Sequence, residues 1–147
     1  MTIYIDPSLL VALYLPEART PKLRQWLGAV RSPIGLNVWQ ELKFKNAARQ
    51  KVRRGEANEG DLARTIRIFE EDCIQRRIIR RSVAWEAVFA EGERLSRKLS
   101  TGKDCRSFDL IHVAIAVISE LQDFATLDIA QAELARAAEL NVVDLPR

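Results

Sequence analysis

The run Ile3-Tyr4-Ile5 is β-branched and aromatic, stops at Asp6-Pro7-Ser8, and gives way at once to an apolar stretch over 9–15. Such a run suits a pleated, buried strand. Proline is at ease in the first turn of a helix, where its missing N–H would be unpaired anyway. A strand turning directly into a buried helix is therefore the expectation, with Asp6 at the turn. The same alternation recurs along the chain. A helix is expected over 17–27, with Leu23, Trp26 and Leu27 at helical spacing, and a short strand over 34–38. Helix-compatible sequence follows to residue 53, with Val38, Leu42, Ala48 and Val52 as the expected inward stripe. Gly55 ends it.

A second amphipathic helix is expected over 58–76, with Leu62, Ile66, Phe69 and Cys73 on one face, paired with the preceding helix across a short link. Residues 77–81 supply a third strand, and Ser82 is the expected cap of a helix reaching 99 with Trp85, Val88 and Leu95 inward. A polar loop over 96–106 precedes the most apolar helix, which starts at Ser107. Strands over 123–127 and 141–143 flank a last helix capped by Asp128. Strand alternating with helix implies an α/β fold, with a mostly parallel sheet of about five strands flanked by helices. At 147 residues the expectation is a single domain over 1–147.

Apolar residues at 48% and charged residues at 29% fit a folded chain and exclude a disordered one. The apolar runs 9–15 and 110–118 fall short of the ~20 residues that a membrane span needs. With no charged leader ahead of the first strand, a cytoplasmic protein is expected. Cys73, Cys105 and His112 are the only cysteines and histidine, too few for a zinc cluster or a disulfide framework. Net charge is +3, but basic residues crowd two segments: Lys43, Lys45, Arg49, Lys51, Arg53 and Arg54 in one, Arg76, Arg77, Arg80 and Arg81 in the other. Clusters of this kind either hold phosphates or form solvated helix faces.

Four acids stand at strand-to-helix junctions or in first helical turns: Asp6, Glu41, Asp109 and Asp128. Each has a modest local account as a cap or as a favourable charge at a helix N-terminus. Together they point further, because an open parallel sheet brings such junctions to its carboxyl edge, where these folds bind ligands. Four carboxylates in company repel one another and need a compensating cation. A hard divalent ion that takes oxygen ligands and keeps part of its water shell suits them best. His112, three residues after Asp109 on an apolar helix, is expected to be a packing residue. Asp104 is a nearby rival or auxiliary acid whose loop position favours simple solvation, and Arg106 is placed to brace the acids or meet a phosphate.

The order of these blocks carries a resemblance. An opening strand ending in Asp6-x-Ser8 is followed by Glu41-Leu42 with Arg53-Arg54-Gly55 downstream. Then come Arg106-x-x-Asp109-x-x-His112-x-Ala114 and Thr126-Leu127-Asp128 with Leu134-Ala135. Over nearly the whole chain this is similar to PIN-domain nucleases, and most of all to small toxins of the VapC type. The resemblance implies a three-layer sandwich and a Mg²⁺ or Mn²⁺ site built from Asp6, Glu41, Asp109 and Asp128. It also implies ribonuclease activity, a homodimer, and a cognate antitoxin whose tail covers the site. Ser8 and Thr126 match polar positions near that site, and Pro7 is a mild departure from the pattern.

The activity so implied is metal-dependent endoribonuclease, leaving 5′-phosphate and 3′-hydroxyl ends. The runner-up is a PIN-like module that binds RNA or a partner without cutting. A phosphoryl-accepting receiver or an aspartate-nucleophile phosphatase is disfavoured: no second Asp stands two residues after Asp6, and no lysine follows a late strand.

Overall fold

Strand and helix alternate as the residue patterns require. β1 (Ile3–Ile5) leads into α1 (Pro7–Tyr14) and α2 (Thr20–Ala29), and β2 (Ile34–Leu36) into α3 (Val38–Arg53) and α4 (Glu59–Ile74). β3 (Ile78–Arg80) leads into α5 (Trp85–Leu99) and α6 (Ser107–Ile118), and β4 (Asp123–Ala125) into α7 (Ile129–Ala137), with β5 (Asn141–Val142) last. This computed structural model describes residues 3–31, 33–99 and 105–146.

Every strand pairing is parallel. β4 lies between β1 and β5 in one ladder, and β2 pairs with β3 in another. The expected five-stranded sheet is thus two short ladders, with β2 running beside β1. A local reason is visible at Ile5, whose carbonyl accepts from the Gln40 side-chain amide at 2.8 Å, so that a side chain serves where a neighbouring strand could.

Alternation along the strands sorts the core into two layers. Ile3 and Ile5 face one side with α1, Leu23 of α2, Phe44 and Phe69. Tyr4 and Phe124 face the other with α5, α6 and α7. Tyr4 stacks on Phe124 at 4.8 Å between ring centroids. The result is a three-layer sandwich.

The helix ends explain where the elements stop. Asn37 with Gln40, and Asn58 with Asp61, form reciprocal capping boxes at the starts of α3 and α4. At the other ends, α3, α4, α6 and α7 each run into a residue with positive φ: Gly55, Arg76, Glu120 and Glu139. At each, paired backbone bonds close the last turn, as where Glu120 N–H donates to Val117 and Leu121 N–H to Ala116. Only the first of these stops has the glycine that makes it readable in sequence.

Two expectations are corrected. α5 begins at Trp85, and the Ala84 carbonyl, not a Ser82 cap, receives its first N–H from Val88. The larger correction is the phase of α3. Val38 is 69% and Leu42 61% exposed, whereas Gln40, Phe44 and Ala48 are buried. Phe44 packs on Phe69 and Tyr14 at 5.0 and 5.7 Å, and one buried aromatic outweighs two surface aliphatics in setting the inward face. That rotation decides which residues of α3 meet the sheet edge.

Candidate functional site: an acid-lined sheet edge

Because Ile5 and Ala125 are register partners in a parallel pair, the chain segments that leave β1 and β4 emerge side by side. Asp6 follows the first and Asp128 the second. Asp6 is buried and caps α1, one carboxylate oxygen accepting from both the Ser8 N–H at 3.0 Å and the Ser8 hydroxyl at 2.5 Å. Burial pushes the Asp6 carboxyl above its ordinary range, opposed by the Ser8 hydrogen bonds and by Lys43, and reinforced by Asp128. Asp128 caps α7, accepting from Gln131 N–H at 3.1 Å, while its own N–H donates to Thr126 Oγ1 at 3.0 Å. Thr126 and Ser8 thus hold the acids as their positions in the sequence suggested.

Asp109 lies in the first turn of α6, and the Gln131 amide donates to its carbonyl at 3.0 Å, tying α7 to α6. Arg106 donates to Asp109 at 3.0 Å and reaches Asp128 at 3.9 Å, bracing the two carboxylates from solvent. Asp6, Asp109 and Asp128 are therefore gathered at one edge from three distant parts of the chain. Asp104 lies outside the described residues.

Glu41 stands in the first turn of α3, and basic side chains occupy its carboxylate. Arg80 grips its carboxylate with two hydrogen bonds at 2.8 and 3.0 Å, Lys45 adds a third at 2.7 Å, and both cations also reach Glu70. Arg80 foremost, with Lys45, holds the Glu41 carboxyl down at about 2. This lowered value stabilises the fold above the ordinary pKa of 4.5, and the gain is lost as pH falls toward about 2. Glu41→Gln is accordingly expected to cost about 1–2 kcal/mol near pH 7, discounted because Arg80 is half exposed, with the deficit closing in acid. Urea melts across that pH range check it. Members of the basic clusters resolve in the same way: Lys45, Lys51, Arg54, Arg77 and Arg80 each pair with an acid on a helix or an adjoining turn.

The α3 residue that reaches the buried His112 is Lys43. Its ammonium donates to His112 Nε2 at 2.9 Å and lies 5.6 Å from the ring centroids of both Trp39 and Phe108. His112 is fully buried, and its Nδ1 is 2.5 Å from Tyr4 Oη. An ammonium can only donate, so Nε2 is the acceptor and Nδ1 carries the hydrogen that points to Tyr4. Burial, with Lys43 adding to it, lowers the His112 pKa to about 3, so the ring is neutral. His112 is a packing residue, as expected, and it also positions Lys43. The sequence signal for Lys43 was the phase of α3: read from Phe44 instead of Val38, the pattern turns Lys43 toward the sheet.

A resident divalent ion does not fit this donor set as it is arranged. Among the described residues, no three acids, histidines or cysteines are disposed to hold a metal. Asp109 and Asp128 share Arg106, Glu41 is paired elsewhere, and Lys43 already places a positive charge near Asp6. A cavity of about 400 Å³ between β2 and α6 is lined by none of the three acids.

These features define a PIN-like α/β sandwich with an acidic carboxyl edge. Among solved structures, the chain is similar to "Crystal Structure of FitAcB from Neisseria gonorrhoeae", with a TM-score of 0.63, 16% identity, and coverage of 98% of this chain and 97% of that one. At that identity the likeness is one of fold. No family model matches the sequence, and no curated protein matches it. No described helix is long and apolar enough to cross a membrane.

Proposed function

We propose that the chain is a PIN-like protein of the toxin–antitoxin kind that engages RNA at the carboxyl edge of its sheet and is neutralised there by a cognate antitoxin. The resemblance of the sequence to VapC-type PIN-domain toxins supports this, and the likeness to FitAcB supports it at the level of fold. The observation that carries the reading is the gathering of Asp6, Asp109 and Asp128 with Lys43 and Arg106. Charges of both signs from β1, α3, α6 and α7 meet at one edge. The cations suit a phosphate backbone and the carboxylates suit a basic peptide tail. A homodimer in the cytoplasm belongs to the same proposal, with the exposed Val38 and Leu42 of α3 as candidate contacts.

A second reading is Mg²⁺- or Mn²⁺-dependent endoribonuclease, favoured by the convergence of three carboxylates from separate segments. End-labelled RNA incubated with the protein, in either metal or in chelator, separates the two. An RNA mobility shift that persists in chelator, without cleavage in metal, is expected. It should weaken steeply with salt, because each phosphate contact releases counterions. Metal-dependent products bearing 5′-phosphates, absent with Asp6→Asn, would establish the second reading, and neither binding nor cleavage would sink both.

A further inference from the structure

We propose that Lys43 is the resident cation of the acidic edge: its ammonium, held by His112 and lying over the Trp39 and Phe108 rings, supplies the positive charge that would otherwise call for a divalent ion. The inference stands on the geometry of the edge and does not depend on RNA being the ligand.

Lys43 is built in, unlike the basic side chains on the helix surfaces. It is half-buried, its ammonium has a fixed acceptor in a fully buried ring, and that ring is fixed in turn by Tyr4 of β1. Trp39 and Phe108, 5.2 Å apart, present two aromatic faces to it from α3 and α6. Cation–π contacts of this kind hold a charge in place without neutralising it. The charge is therefore left to act on its surroundings, and the carboxyl it stabilises is that of Asp6. Arg106 performs the same service for Asp109 and Asp128 from the solvent side. Three acids are thus met by two cations carried on the chain.

A dication entering beside Asp6 must approach Lys43, and repulsion between them grows as the local dielectric falls. It must also displace Arg106 from two carboxylates, and it gains no fourth carboxylate, because Glu41 is held by Arg80 and Lys45. The consequence is an acidic edge whose charge is met in large part by cations of the chain itself.

Titration with Mn²⁺, with the free ion followed by electron paramagnetic resonance, tests this directly and needs no enzyme assay. The parent protein is expected to show no saturable site below ~1 mM, the weak end of protein sites for hard divalent ions. Lys43→Met keeps an apolar stem and removes the charge. It is expected to create one site per chain with affinity raised by roughly tenfold or more. Adding Asp6→Asn to that variant should abolish the gain. Lys43→Gln, which can still donate to His112, serves as a second variant, and far-UV circular dichroism melts report which proteins are folded. Saturable binding by the parent that Asp6→Asn removes would overturn the proposal, as would a folded Lys43→Met or Lys43→Gln protein with no gain in affinity.

Discussion

Phe69→Ala is expected to lower the unfolding free energy by about 3–5 kcal/mol, a large share of the ~5–15 kcal/mol typical of a domain. Phe69 is fully buried on α4 and meets Phe44 of α3 at 5.0 Å and Tyr14 of α1 at 5.7 Å. It is the point where three helices lock together. Tyr14 is anchored from the same side, its hydroxyl donating to Asp72 at 2.6 Å and its carbonyl accepting from Thr65 at 3.0 Å. Lys45 and Arg80 lie over the Phe69 ring at 5.3 and 6.0 Å, so truncation also removes the floor of the network that holds Glu41. Phe69→Leu keeps most of the volume and is expected to cost about 1–1.5 kcal/mol. Urea unfolding of both variants measures the difference, and an alanine deficit below about 1 kcal/mol would contradict the packing described.

His112→Ala is expected to cost about 3 kcal/mol at pH 7, from the cavity left in α6 and from the Tyr4 hydroxyl, which loses its partner at a buried site. The pH dependence gives this prediction its signature. With its folded pKa lowered to about 3, neutral His112 favours the folded state at pH values above the ordinary 6.5. That advantage is lost as acid protonates the unfolded chain between 6.5 and about 3. The parent should therefore lose up to about 1.4 kcal/mol per pH unit on this account through that window, and the alanine variant should not. The two stabilities converge as pH falls. A constant gap across pH 4–7 would show that the ring is not buried in its neutral form. Because Tyr4, His112 and Lys43 form one chain of contacts, Tyr4→Phe and His112→Leu should be non-additive by about 1 kcal/mol when combined.

Much of the site was readable as junctions. Asp6, Asp109 and Asp128 each stand where a strand gives way to a helix or in a helix's first turn, and parallel pairing of β1 with β4 carries such junctions to one edge. Glu41 also stands in a first helical turn, but what its carboxylate meets there, Arg80 and Lys45, depends on the rotation of α3 about its axis. Counting Val38 and Leu42 as inward set that rotation wrongly. The buried Phe44 and the Gln40 amide on the Ile5 carbonyl set it otherwise, and that rotation carries Lys43 to His112. The non-glycine helix stops at Arg76, Glu120 and Glu139 were hidden for a similar reason: backbone bonding imposes positive φ there, and no residue type announces it.

From residue pattern alone came the alternation of strand and helix, the parallel pairing this implies, and the acids that cap or open helices. All of these are local consequences of period, propensity and end chemistry. Tertiary structure alone decided which side of α3 meets the sheet, and hence that a lysine reaches His112 while the glutamate is bound to Arg80. The physical reason is that a helix can turn about its axis at little local cost. Its final orientation is settled by the largest side chains buried against distant parts of the chain.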